Sequence, residues 1–531
     1  MAIPKYGGRD NELSTTGIDA DGRALNPWHV TRAILDAIPA ALAVYNAEVW
    51  NGNRQQQNPY SGNSYSVDCL RNWTSGGQCY YADMSHVEAC TAACLRPTDF
   101  AHQCLSLVIG AEAARRLAEQ QAAHGERYML TTSNADGLDP AISFGTHLNI
   151  QVETSLWENL MVDQRRPGVF GFVTSAIAAA VPFFGAGYLL PLKDGTTIYS
   201  LSARAHHLTR MRTQSTTEPF GRGLLNSRRE PHERAAERLH LIGFDLDLAS
   251  SGLLFSFLQC VLAAAEEGYS GMVLFDPVRA LRTWSWHLDM TTGTLAGAAV
   301  SLDGRRMSLP DYMGELSQAL LDMCRGGLIT DAVAPEATEM LPRIVELAAY
   351  AREGSLVRCA RHLGWAAKLL WLVQLSEQNG AALGDPTTRL ADHDFCSTDP
   401  ERGAFWRLWD QGLIDPLVDL DQAKRCLAEG PADSRDWGRG QIIGRFLDHI
   451  AAVDWSYVDV RTTPGFWGAR RRIEFPCLDS LNQAELQPIL RRAAGVEHLL
   501  HLLDETGQPV GKPHDPVEDI TGELAVLPPS N

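Results

Sequence analysis

Residues 221–249 read GRGLLNSRREPHERAAERLHLIGFDLDLA. Arg222, Arg228, Arg229, Arg234 and Arg238 are interleaved there with Glu230, His232, His240, Asp245 and Asp247. Guanidinium forks bind phosphate and carboxylate oxygens in pairs, and carboxylates with histidine hold divalent cations. One reading of the stretch is a solvated helix laced with ion pairs. The other is a segment that handles a polyanion together with a metal, which commits the chain to a fold with a polar cleft.

Outward from this stretch, three segments alternate polar and apolar residues at period two, as strands with one polar face do. In 8–12 (GRDNE), Asp10 and Glu12 share a face; in 79–83 (CYYAD), Tyr81 and Asp83 do. In 147–153 (HLNIQVE), His147, Asn149, Gln151 and Glu153 face one way, and Leu148, Ile150 and Val152 face a core. A solvated outer sheet face gives the same alternation in any one strand. Three such strands beside an arginine cluster point to a cleft.

The remaining pattern predicts strands at Tyr6–Leu13, Gln78–Asp83, Arg127–Thr132, Gly145–Glu153 and Thr196–Arg204. It predicts helices at Trp28–Val49, Thr98–Ala123, Gly252–Glu267, Pro310–Cys324, Glu336–Ala351 and Ser355–Glu377. The polar segment Asn51–Gly77 reads as a long loop. Strands early and helices late make an α+β fold with a mainly antiparallel sheet. At 531 residues the chain exceeds one ordinary core, so a large and a small domain are expected.

The net charge of −18 argues against nucleic-acid binding, which needs a basic footprint. Locally the sign reverses: eight arginines fall between Arg204 and Arg238, which suits a small or peptidic anion. Val169–Leu192 is apolar enough to raise the question of a membrane span, but Thr174, Ser175, Pro182, Gly185 and Gly187 interrupt it. It reads as a buried helix ending in a Gly-Ala-Gly turn, with no membrane role. The opening residues lack the charged and apolar regions of a signal peptide. Eleven cysteines without a CxxC pair read as reduced thiols, hence a cytoplasmic protein. His86, Cys90 and Cys94 stand at helical spacing and imitate a zinc face. Only His102 and Cys104 stand near to complete one.

Asn226-Ser-Arg-Arg-Glu-Pro-His232, followed by Arg238-Leu-His240 and a hydrophobic run into Asp245, resembles a signature of the Pup ligase and Pup deamidase (Dop, PafA-type) family. That family lies within the glutamine-synthetase-like carboxylate–amine ligases. Gly8, Asp10 and Glu12 match its opening Gly-x-Glu-x-Glu; Tyr81-Ala-Asp83 and His86-Val-Glu88 resemble its Tyr-x-Asp and His-Pro-Glu. Asn134 and Asp136 resemble its Asn-x-Asp. Residues 143–149 (SFGTHLN) resemble Ser-Tyr-Gly-x-His-Glu-Asn. Trp365-Ala-Ala-Lys368 and 433–440 (DSRDWGRG) look like its Trp-x-x-Lys and Thr-Arg-x-x-x-Arg-Gly, and Asp454-Trp455 like the start of its small domain. Four positions depart from the pattern. Leu148 replaces a glutamate, Ala93 an acidic residue, Ala180 an arginine and Arg229 an aspartate. Two missing carboxylates are expected to weaken or rearrange cation binding.

The resemblance implies a large glutamine-synthetase-like domain (1–440) with a curved sheet packed by helices and 51–77 as an inserted loop. A small C-terminal domain (441–505) and a flexible tail (506–531) follow. It implies ATP and Mg²⁺ as cofactors. Asp10, Glu12, Glu88, His147 and Glu230 fall at the metal, and Arg228, Arg238, His240, Arg435, Arg439 and Asn149 at the nucleotide or substrate anion. Asp83 falls at the catalytic position, as base or nucleophile. A carboxylate is a poor electrophile until phosphorylated, and such a site must neutralise two polyanions at once. The loop 51–77, Trp365-Ala-Ala-Lys-Leu and 390–407 lean to the deamidase branch. Its partner is a small acidic Pup-like protein with C-terminal Gln or Glu. A peptide ligase repurposed for another substrate and a non-catalytic modifier-binding protein are the alternatives.

Overall fold

The computed structural model describes residues 2–51, 71–122, 125–136, 139, 141–216, 221–230, 233–290, 292–464 and 469–511. Most of the expected 51–77 loop, His232 and most of the expected tail lie outside the described residues.

Strand β1 (Gly7–Ile18) is followed by helix α1 (Pro27–Leu42), whose start is fixed by Asn26: its side-chain oxygen accepts the Trp28 N–H at 3.0 Å. Val30, Ile34, Leu35, Ile38 and Leu42 recur at helical spacing and bury one face of α1. Short strands β2 (Val49–Trp50) and β3 (Asn72–Thr74) precede the hairpin of β4 (Cys79–Asp83) and β5 (His86–Cys90). Helix α2 (Pro97–Gln121), β6 (Arg127–Thr131) and β7 (Thr146–Val152) follow. Helix α3 (Pro167–Phe183), the hairpin β8–β9 (Tyr188–Pro191, Thr197–Ser200) and strands β10 (Leu208–Thr213), β11 (Arg222–Asn226) and β12 (Glu237–Leu241) come next. The principal sheet has the order β10-β11-β12-β7-β1-β5-β4-β3-β2, with β6 also paired to β1. All its pairings are antiparallel except β10–β11. The expected α+β class and mainly antiparallel sheet are what the chain forms.

One face of this sheet packs on α1, α2 and the long helices beyond residue 250 in one extensive core. A second core joins Trp437, Ile442, Phe446 and the segment 450–503 to Trp50, Trp73, Cys79 and Cys90 of the principal sheet. The helix Arg435–Phe446 runs through the expected 440/441 boundary.

Several sequence expectations are corrected. Asn72–Thr74 is a strand, not loop, because Trp73 is fully buried in the second core. His86–Cys90 is a strand, so His86, Cys90 and Cys94 do not share a helical face. The single helix expected over 355–377 is two, Leu356–Ala360 and Gly364–Asn379. The break falls where buried Asp247 accepts the Gly364 N–H at 3.1 Å; a Cβ on Gly364 would meet that carboxylate at 2.1 Å. The start of the expected tail is ordered, with Val510 bridged to Ile473.

The apolar helix α3 is buried along almost its whole length and ends before Gly185–Gly187, as expected. Among the described residues no single helix is long and apolar enough to cross a membrane. The bent pair Thr154–Asp163 and Pro167–Phe183, at 91°, passes only by length and composition.

Candidate active site

The arginine-rich stretch is neither helical nor continuous. It forms β11 and β12, whose antiparallel register sets Asn226 opposite His240. β12 lies beside β7, β7 beside β1, β1 beside β5 and β5 beside β4, so these five strands present side chains on one face. The register places Asp10 opposite both Cys90 and His147, Glu12 opposite Glu88, and Tyr81 opposite Glu88. Asp83 stands opposite His86, and Asn149 opposite both Gly8 and His240.

The contacts on that face follow from the register. Asn149 donates from Nδ2 to Asp10 Oδ1 at 2.6 Å, and His147 Nδ1 lies 3.4 Å from Asp10 Oδ2. Glu12 accepts the Gly145 N–H at 2.6 Å. A Cβ at Gly145 would lie 2.8 Å from His147 Nε2 and 3.0 Å from Glu12 Oε1, so any larger residue there would displace these two side chains. The ligand atoms of Asp10, His147 and His240 fall within 4.8 Å of one another. Arg238 donates to His240 Nδ1 at 3.1 Å, so the neutral ring carries its proton on Nε2. That Nε2 is buried without an acceptor among the described residues.

Carboxylates crowd this face. Among the described residues Asp10, Glu12, Asp83 and Glu88 form no ion pair with lysine or arginine. Burial first, then the charges of Asp10, Glu12 and Asp83, push the Glu88 carboxyl well above the ordinary range. Burial and then Glu12 raise that of Asp83. At Asp10 burial also acts upward, but the hydrogen bond and charge of His147 outweigh it and hold the group low. Burial, His147 and Arg238 depress His240 to about 2, so it is neutral at ordinary pH.

At the Gly8 end the face opens into a cavity of about 170 Å³ lined by Asp10, Tyr81, Cys90, Asn149, Arg238 and Arg435, among others. Ala93 and Asp436 also line it, and the Ala93 N–H donates to Asp436 Oδ2 at 2.6 Å. Glu230, four residues beyond β11, pairs with Arg238 at 2.6 Å and with Arg228 at 3.7 Å. Arg228 is itself half exposed there. Arg439 lies behind the cavity wall, fully buried. It pairs with Asp436 at 2.8 Å, donates to the Gly77 and Trp455 carbonyls, and stacks over Trp73.

The departures read differently in three dimensions. Leu148 is fully buried and points away from the polar face, so a glutamate is not missing from the cleft there. Ala180 is likewise buried, inside α3. Only Ala93 faces the cavity. Arg229 pairs with Glu237 and lies over the Trp157 ring. Cys90 and Asp436 line the cavity, a place that sequence reading did not assign to either. Reading 86–90 at period two would have put Cys90 on the Glu88 face; nothing in the sequence marks Asp436.

The family model described as Pup-ligase protein matches residues 8–459. A Pup deamidase/depupylase of Mycolicibacterium smegmatis is 26% identical over 409 residues, covering 72% of this chain and 74% of that protein. A depupylase of Acidothermus cellulolyticus is 28% identical over 399 residues with the same shares. A Pup–protein ligase of Acidimicrobium ferrooxidans is 25% identical over 407 residues, covering 72% and 82%. The crystal structure of the complex between Pup and its ligase PafA matches with a TM-score of 0.71 at 18% identity, over 99% of this chain and 96% of that one. PafA in complex with ADP matches with a TM-score of 0.63 at 20% identity, over 81% and 90%. These likenesses establish the glutamine-synthetase-like fold expected from the motifs. With the family model spanning all five strands of the polar face, the chain belongs to the Pup-ligase protein family.

Proposed function

We propose that the chain is an ATP- and Mg²⁺-dependent enzyme of amide chemistry. It hydrolyses the side-chain amide or isopeptide at a C-terminal Gln or Glu of a small acidic Pup-like protein. The observation that carries this reading is the crowding of Asp10, Glu12 and Glu88 beside Asp83, with no arginine or lysine among the described residues paired to them. Uncompensated carboxylates at such density call for cations. The relatives named deamidase/depupylase support the direction.

The donor set fits a divalent ion. Glu12 Oε1 and His147 Nε2 converge beside Gly145, with Glu88 opposite Glu12, and Asp10 orients His147 through Nδ1. Glu230 reaches this set only through Arg238. A bound cation would neutralise the oxygens of a triphosphate. The His240 Nε2–H, Arg238 and Arg435 are donors suited to anionic oxygens at the cavity end, with Asn149 setting Asp10. Arg228 guards the rim, and Arg439 acts through Asp436. Asp83 attacks the carboxamide carbon of the substrate as carboxylate, or takes the proton from a water that does; in either case ammonia or the lysine amine leaves.

Calorimetric titration of ATP, with Mg²⁺ and then with EDTA, tests the cradle; binding is expected only with Mg²⁺ and is lost in Glu12→Gln. A Pup-like peptide ending in Gln should then release ammonia, and Asp83→Asn should abolish release while nucleotide still binds. ATP-driven joining of a Glu-ended peptide to a lysine would instead establish ligation, the second reading, which the ligase-named relatives favour. Binding without either reaction would leave a modifier-binding protein.

A further inference from the structure

Cys79 and Cys90 are direct cross-strand partners in the β4–β5 hairpin. By strand alternation both stand on the face that carries Tyr81, Asp83, His86 and Glu88. Cys90 lines the cavity, and its thiol donates to the Tyr81 hydroxyl at 3.8 Å. It is also the register partner of Asp10. Cys79 lies beneath, fully buried in the second core with Trp73 and Trp437. Among the described cysteines these two alone are paired in a strand ladder. Opposite residues of antiparallel strands have Cα atoms about 4.5–5.5 Å apart, inside the roughly 4.4–6.8 Å that a disulfide spans.

We propose that this pair is a covalent modification site on the floor of the cavity: Cys90 is thiolated by a low-molecular-weight disulfide, and Cys79 resolves the adduct into a Cys79–Cys90 disulfide. In the first step the Cys90 sulfur bonds to one sulfur of the reagent, whose S–S bond breaks and expels a thiolate. In the second the Cys79 sulfur attacks Cys90 Sγ and expels the other thiolate. The two protons of the protein thiols end on the two released thiols, so the pair is oxidised and the reagent reduced. Both thiols are buried, so the exchange is slow, on the order of hours. The finished bond replaces the contact of Cys90 with Tyr81 and ties the two strands beside Asp10.

The test needs no nucleotide or substrate, so it stands apart from the catalytic reading. The full chain is incubated with glutathione disulfide and unfolded in guanidinium chloride with the alkylating agent present, so that every free thiol is capped, and peptides are mapped without reduction. A linked Cys79–Cys90 peptide is expected, with two of the eleven cysteines lost to alkylation and both regained after dithiothreitol. In Cys79→Ser the reaction should stop at a mixed disulfide on Cys90; in Cys90→Ser it should leave Cys79 untouched. Cys79 and Cys90 remaining alkylatable in the wild-type protein would overturn the proposal, as would thiolation of Cys79 in Cys90→Ser at the wild-type rate. The wild-type map decides even where a variant does not fold.

Discussion

Two groups of buried and half-buried charges in this chain differ in a telling way. In one, every charge has its opposite. Lys5 meets Glu266 at 2.6 Å, and Lys368 meets Asp392 at 3.0 Å while also donating to the Gly187 carbonyl. Both pairs are all but inaccessible. In the other, on the face of β1, β4, β5 and β7, four carboxylates stand together with histidines beside them, and among the described residues none is in an ion pair with lysine or arginine. Paired burial closes a structure, since each ion satisfies its partner. Unpaired burial is tolerable only where something else completes the charge, which is why the second group is the candidate site.

The largest way to break this contrast is to put a carboxylate where the sheet has none to neutralise. Leu148→Glu restores the residue the family pattern expects, but the side chain would enter the core. A loss of about 4 kcal/mol or more is expected, read from the urea midpoint. Tolerance of that change would show that position 148 can turn to the cleft. Next, Asp392→Ala leaves Lys368 alone in the core and should cost about 3–5 kcal/mol, most of it regained when Lys368→Met is added.

Glu88→Gln should do the opposite. Removing one of the crowded charges stabilises the ligand-free protein by about 1–2 kcal/mol. It weakens Mn²⁺ binding, followed by electron paramagnetic resonance, by roughly tenfold or more. Destabilisation by this change would mean that Glu88 is compensated after all.

The smallest expected effect tests whether crowding outside the site behaves alike. Asp99, raised to about 6 by burial and then by Asp433, titrates above its unfolded value of 3.8. The folded state therefore holds the proton more tightly, and this contribution is full below pH 4 and lost as pH rises through 6. Asp99→Asn should gain about 1 kcal/mol over the wild type at pH 7, with the difference vanishing below pH 4. Denaturant unfolding at several pH values measures it.

The sequence by itself determined the polar face. Strand side chains alternate strictly, so Asp10 with Glu12, Tyr81 with Asp83, and His147 with Asn149 were tied to common faces by position alone. Composition and local pattern likewise fixed the α+β class, the buried helix α3 and the helices at 97–121 and 251–266. What the sequence did not carry was long-range pairing. Whether 221–249 is one helix or two strands depends on β7, some seventy residues earlier, offering its edge to β12, and no local signal reports that. Leu148 marks how far alternation reaches: position alone turned it to the core, and its complete burial there means that the departure removes no ligand from the cleft. Trp73 in its polar surroundings became a strand because the second core had room for it. Asp436 and Cys90 reached the cavity because a helix from residue 435 closes over a hairpin from residue 79. Local alternation and capping act over a few bonds, whereas cavities form where distant segments meet, so the strands could be read and the cavity had to be seen.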